Sequence, residues 1–156
     1  MSKKRVIGTV LLSALLAACS SVPYAQRMQQ RQDAYNAAAG APVRSFRFLG
    51  QMWSWEPLSN AQLVVYTRPN QAYLLDVWAC PNLTFANAIG LTSSIREVSV
   101  NFDKVLTGRP YVPCPIIKIR PVDLTRLKIE QQSQREVDMQ PRANASASPA
   151  PAGGQP

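Results

Sequence analysis

The sequence predicts a mainly β domain of the α+β kind. It reads as a small antiparallel sheet or barrel of about five or six short strands, with an N-terminal and a C-terminal helix and one disulfide. Three observations predict this. From residue 41 to 125, apolar residues recur with a period of two, in runs separated by turns rich in Pro, Gly and Asn. The connections are too short for the helical crossovers that a parallel sheet demands. On both sides of this stretch the sequence changes to helix formers.

In chain order, residues 27–39 (RMQQRQDAYNAAA) form the first helix, with Gly40 as its stop. Its apolar content is thin, mainly Met28, Tyr35 and alanines, which predicts a polar surface helix or a stalk. Residues 43–49 (VRSFRFL) place Phe46 and Phe48 on one strand face, and Gly50 bends the chain. Residues 51–56 (QMWSWE) place Trp53 and Trp55 on one face, and residues 57–60 read as a turn. Residues 61–67 (AQLVVYT) are apolar on both faces and predict a central strand. The connector Arg68-Pro69-Asn70-Gln71 leads into its hairpin partner, residues 72–78 (AYLLDVW).

Residues 80–91 are mixed and suit a short helix. Residues 96–106 alternate, with Val98, Val100 and Phe102 expected inward and Ser99, Asn101 and Asp103 outward. A turn at 107–110 precedes a last strand at 116–120, with Ile117 and Ile119 opposite Lys118 and Arg120. Residues 123–139 read as the closing helix, capped by Asp123, with Leu124 and Leu127 meeting the core. The tail 141–156 (PRANASASPAPAGGQP) cannot bury enough apolar area to offset its ordering entropy, so it is expected to be disordered.

The 156 residues include 17 Lys+Arg, 9 Asp+Glu and no His, a net charge of +8. Without His there is no Ser-His-Asp or Cys-His nucleophile, no imidazole acid or base and no His metal ligand. The glycine-rich phosphate loops are missing as well. No cofactor is expected. The basic residues are scattered and form no tight cluster, so a nucleic-acid partner is not expected; a mild, unspecific attraction to anionic lipid or glycan surfaces is compatible with them, and a solvated surface is the simpler reading.

The N-terminus carries the strongest targeting signal. Lys3, Lys4 and Arg5 precede an apolar stretch from Val6 to Leu16, too short to span a bilayer as a helix and the size of a signal-peptide core. Leu16-Ala17-Ala18-Cys19 resembles the lipobox of bacterial lipoproteins. The resemblance implies cleavage before Cys19 and lipidation of its thiol, which would anchor the chain to a membrane through several acyl chains. Ser20 and Ser21, in place of an inner-membrane Asp, resemble an outer-membrane sorting pattern, with the domain facing the periplasm. Without Lys3, Lys4 and Arg5, the mature chain keeps 14 basic against 9 acidic residues, or +5. The expected organisation is a signal peptide at 1–18, anchor, tether and helix at 19–40, the β domain at 41–125, a helix at 126–140 and the tail at 141–156.

Cys80 and Cys114 remain, an even pair in an exported chain, and read as a structural disulfide ahead of a redox or metal pair. Both precede proline, which disfavours helix at each. Closing such a loop is worth about 3–4 kcal/mol.

The core also resembles a family of uncharacterised proteobacterial lipoproteins, known as a domain of unknown function. The resemblance runs from about Gln30 to Asp123. It is carried by Ala41-Pro42-Val43-Arg44-Ser45-Phe46, Trp55-Glu56-Pro57-Leu58, Tyr66-Thr67-Arg68-Pro69-Asn70, Ala72-Tyr73-Leu74-Leu75-Asp76, Cys80-Pro81, Ile89-Gly90-Leu91-Thr92-Ser93, Phe102-Asp103 and Cys114-Pro115-Ile116. It then continues through Ile119-Arg120-Pro121-Val122-Asp123. It implies no activity and no catalytic residue.

The candidate ligand-binding set is Trp53, Trp55, Tyr66 and Tyr73, with Trp78 as a further aromatic and Asp76 or Asn70 to bind hydroxyls. Sugar rings stack on such platforms, although aromatics on sheet faces are more often core. An enzyme would need Glu56, Asp76 or Asp103 to converge. The expected function is a lipid-anchored, non-enzymatic interaction module with an envelope protein partner. The alternative is a binder of a glycan, peptidoglycan fragment or lipid.

Overall fold

The structure, a computed structural model, describes residues 22–139. The expected signal peptide, the expected lipidation site Cys19 and the tail at 141–156 lie outside the described residues. Helix α1 (Tyr24–Ala38) is followed by β1 (Ser45–Arg47), β2 (Ser54–Ser59), β3 (Gln62–Arg68) and β4 (Gln71–Val77). A single 3-10 turn (Leu83–Phe85) leads to β5 (Gly90–Leu91), β6 (Glu97–Ser99), β7 (Lys104–Leu106), β8 (Cys114–Val122) and helix α2 (Leu124–Met139). Six strands form one curled antiparallel sheet in the order β2-β3-β4-β8-β7-β5, and β1 pairs with β6 in a separate ribbon. The mainly β fold with two flanking helices is the one expected.

The sheet carries two cores, one per face. Trp55, Val65, Tyr73 and Leu63, Leu75, Ile119 follow the register onto the first face. The β1–β6 ribbon covers it, stacking Phe46 on Tyr73 with ring centroids 4.3 Å apart. The second face carries Val64, Leu74, Ala72 and Val122, against which α1 packs Ala34, Tyr35 and Ala38 and α2 packs Leu127. Strand β3 is fully buried at Leu63, Val64 and Val65, so its continuous apolar run does mark a central strand. Cys80 and Cys114 form a disulfide with Cα atoms 5.3 Å apart, tying the end of β4 to the start of β8.

Several sequence expectations are corrected. Helix α1 begins three residues before the expected start and is no stalk: its small alanines let it lie close on the sheet. Pro57 sits inside β2 rather than in a turn. It is tolerated because β2 is an edge strand, where a missing N–H costs no ladder bond. Residues 80–91 hold a 3-10 turn at Leu83–Phe85 and the short strand β5 rather than a single helix.

The alternation at 96–106 holds through Val98 and Val100, which meet the first core, and fails after them. Asn101 adopts φ 66° and turns the chain, so Phe102 is 84% exposed and Asp103 is 4% exposed. The buried Asp103 carboxylate is satisfied by the Ser99 N–H and the Thr92 hydroxyl, each 2.8 Å away. In β8 the register slips between Asp76↔Lys118 and Val77↔Ile116, leaving Ile117 as an extra residue. That bulge makes Ile116 and Ile119 the core residues and leaves Ile117 exposed.

Asp123 caps α2 as expected. Its Oδ1 accepts the backbone N–H groups of Thr125 (2.9 Å) and Arg126 (3.0 Å).

Candidate functional site

Beneath α1, the second face carries a polar group beside its apolar cluster, because β3 and β4 contribute Gln62 and Asp76 at opposed register positions. Gln62 Nε2 donates to Asp76 Oδ1 at 2.6 Å. Lys118 Nζ and the Arg120 guanidinium lie 3.4 and 3.5 Å from the same carboxylate. Asn36 of α1 closes the group, its Oδ1 accepting from Arg120 at 2.7 Å and its Nδ2 donating to Gln62 Oε1 at 3.0 Å. Arg120 Nε is buried with no partner among the described residues. These bonds fix the angle of α1 on the sheet, and Asp76 spends its oxygens inside the fold.

Beside this group, the Tyr35 hydroxyl donates to Glu56 Oε2 at 2.9 Å, so the Tyr66 hydroxyl, 2.8 Å away, donates to Tyr35. Arg31 pairs with the other Glu56 oxygen at 2.7 Å. Burial, the Tyr66 hydrogen bond and the Glu56 charge push the Tyr35 phenol far above its ordinary value. Tyr35 therefore remains a neutral hydrogen-bond donor. An open cavity of about 710 Å³ adjoins these hydroxyls and is lined also by Asn70, Lys128 and Gln131.

The structure does not gather the aromatic set into one platform. Trp55 and Tyr73 lie on the first face and are packed against its core. Tyr66 and Asp76 lie on the second face, engaged as above. Trp53 precedes β2 and is 67% exposed. Glu56, Asp76 and Asp103 each serve a separate set of partners: Tyr35 with Arg31, Gln62 with Lys118 and Arg120, and Thr92 with Ser99.

The open apolar surface lies elsewhere, around the disulfide. Ala79, Cys80, Pro81, Asn82, Thr107, Pro110, Tyr111, Val112 and Cys114 line a cleft of about 430 Å³. Val77 is buried in the first core, so the pleat sends Trp78 to the opposite side, where it is 71% exposed. The Trp78 N–H donates to the Pro115 carbonyl at 3.0 Å, and Ala79, at φ 53°, then turns the chain toward Cys80. Val112 is 79% exposed and Tyr111 half exposed. The Asn101 N–H donates to the Ile116 carbonyl at 2.8 Å, which brings exposed Phe102 to the same end, beside exposed Ile117. Sequence reading missed Tyr111 and Val112. Their signal was an apolar dipeptide between two prolines, in a loop that would ordinarily be polar.

No curated protein and no solved structure matches the chain. The model of one family, described as Family of unknown function (DUF6491), matches residues 2–138, and the chain belongs to that family.

Proposed function

We propose that this chain is a lipid-anchored lipoprotein of the outer membrane, facing the periplasm, whose β domain is a non-enzymatic interaction module for another envelope protein. The observation that carries the reading is the disulfide end of the sheet, where Tyr111 and Val112 line the cleft and Trp78 and Phe102 are exposed on segments bonded to the start of β8. Exposed apolar side chains are costly in water, and a partner that covers them offsets that cost. The charged leader and Leu16-Ala17-Ala18-Cys19 supply the address, and the Cys80–Cys114 bond suits an oxidising compartment. The separate engagement of Glu56, Asp76 and Asp103 speaks against paired-carboxylate chemistry.

Two measurements test the reading. Labelled palmitate should enter the wild-type chain and not Cys19→Ser. A photo-crosslinking residue in place of Tyr111 should capture one reproducible envelope protein in intact cells, and Val112→Asp should abolish the adduct. Absence of label, or only diffuse adducts, contradicts the corresponding half.

A second reading is the binding of a glycan, a peptidoglycan fragment or a lipid. The cleft favours it, since about 430 Å³ falls within the range of small-molecule pockets. Saturation transfer from Tyr111 to a muropeptide or a short-chain phospholipid would support it, and no transfer would remove it.

A further inference from the structure

Just before β6, Ser94-Ile95-Arg96-Glu97 forms a two-residue turn closed by reciprocal Ser94–Glu97 backbone hydrogen bonds of 3.0 Å. Ile95 and Arg96 have φ of 52° and 60°. Turns with both central residues at positive φ normally take Asn-Gly or Gly-Gly, and a β-branched residue is the least suited to that region. Ile95 is also 99% exposed. Backbone preference and solvation both disfavour isoleucine there, a conflict of the sort that accumulates at surfaces with a second task.

The neighbours of this tip have a common character. The Phe48 N–H donates to the Arg96 carbonyl at 2.7 Å, which places the tip beside exposed Arg47 and Leu49. A shallow cleft joins Arg47 and Leu49 to Arg68 at the β3–β4 turn. The Trp53 N–H donates to the Tyr66 carbonyl at 2.8 Å, close to the same turn. Leu49, Trp53 and Ile95 are thus exposed at one end together with Arg47, Arg68 and Arg96. None of these three arginines enters an ion pair among the described residues. The nearby acid, Glu97, is bonded to the Ser45 hydroxyl.

We propose that this end docks on an anionic lipid surface, with Ile95 and Leu49 entering the acyl boundary, Trp53 at headgroup depth and the arginines on lipid phosphates. Aliphatic tips with a tryptophan, flanked by basic residues, match the two layers of a membrane interface. Charge complementarity favours a bilayer surface that carries anionic lipid. The inference rests on the anchored reading above, which brings the domain to a bilayer, and adds the orientation it takes there.

The test uses the full chain on vesicles of phosphatidylcholine with or without phosphatidylglycerol, carrying bromines on the acyl chains. Trp55→Phe with Trp78→Phe leaves Trp53 as the reporter, and Trp53→Phe with Trp55→Phe leaves Trp78. On anionic vesicles, Trp53 fluorescence should be quenched several-fold more than that of Trp78. Ile95→Asn and the pair Arg47→Glu with Arg68→Glu should each erase the difference. Asparagine suits the turn, so Ile95→Asn should raise the melting temperature while it lowers the quenching. Equal quenching of the two reporters overturns the inference and leaves the anchoring intact. Quenching of Trp53 that ignores both sets of substitutions also overturns it, as does displacement of the tip from vesicles by an acidic envelope protein. A chain that fails to float with any vesicle overturns the inference and the anchored reading together.

Discussion

The two ends of the sheet both present apolar side chains to solvent, yet they are built differently. At the disulfide end, Tyr111 and Val112 line a cleft stapled by a covalent bond between neighbouring strands, and exposed Trp78 stands next to it in the chain. At the β3–β4 turn end, Leu49, Trp53 and Ile95 stand among three arginines, on loops and on a turn whose backbone suits other residues. A cleft offers a shaped, water-poor surface that rewards a partner of fixed shape. A basic, protruding tip rewards a surface that is charged and deformable. The contrast teaches that apolar exposure alone does not identify an occupant, whereas the charge beside it and the concavity beneath it do.

The largest effect should come from the staple. Cys80→Ser with Cys114→Ser reopens a loop of sequence separation 34 and should cost about 3–4 kcal/mol in urea unfolding. It should also loosen the cleft while leaving the Ile95 turn intact, as amide exchange at the two ends would report. A loss below about 1 kcal/mol would mean that the end is held by packing alone.

Next in size is the helix-covered face that joins the two ends. Tyr35→Phe removes the hydroxyl shared by Glu56 and Tyr66 and should cost about 1–3 kcal/mol. The phenol is held protonated in the folded state, so the fold binds this proton more tightly than the unfolded chain, where a tyrosine titrates near 10.0. Stability from this group is complete below that value and falls as pH rises through and beyond it. Denaturation between neutral and strongly alkaline pH should show this decline in the wild type, and Tyr35→Phe should remove its share.

Ile95→Asn should stabilise the fold by about 0.5–1 kcal/mol, since the turn then carries a residue suited to positive φ. Destabilisation would show that Ile95 makes a contact the exposed placement does not explain. Smallest of all, Trp78→Ser should leave stability within about 0.5 kcal/mol of wild type, because its side chain packs against little.

Much of the fold was legible because local chemistry and tertiary placement agree. The unbroken Leu63-Val64-Val65 run could only lie in a buried strand, and Asp123 had the right neighbours to cap a helix. The two cysteines before prolines marked strand ends that could be joined. What was illegible depended on register. Trp55 and Tyr66 are one-sided within their own strands, but Trp55 pairs with Val65, so the two fall on opposite faces. The exposure of Phe102 and the burial of Asp103 follow from one left-handed residue, Asn101, and the exposure of Ile117 from one bulge. Alternation carries no mark of either event. The candidate surface was half visible: Trp78 stood out as an aromatic, whereas Tyr111 and Val112 were concealed in a loop.

The central claim is that the disulfide end receives a protein partner. Its most direct test places the same photo-crosslinking residue at position 78 or at position 53 of the full chain in intact cells and compares the adducts. The account predicts one discrete protein adduct from position 78, lost with Val112→Asp, and none of that mass from position 53. No protein adduct from position 78, or the same adduct from both positions, would contradict it.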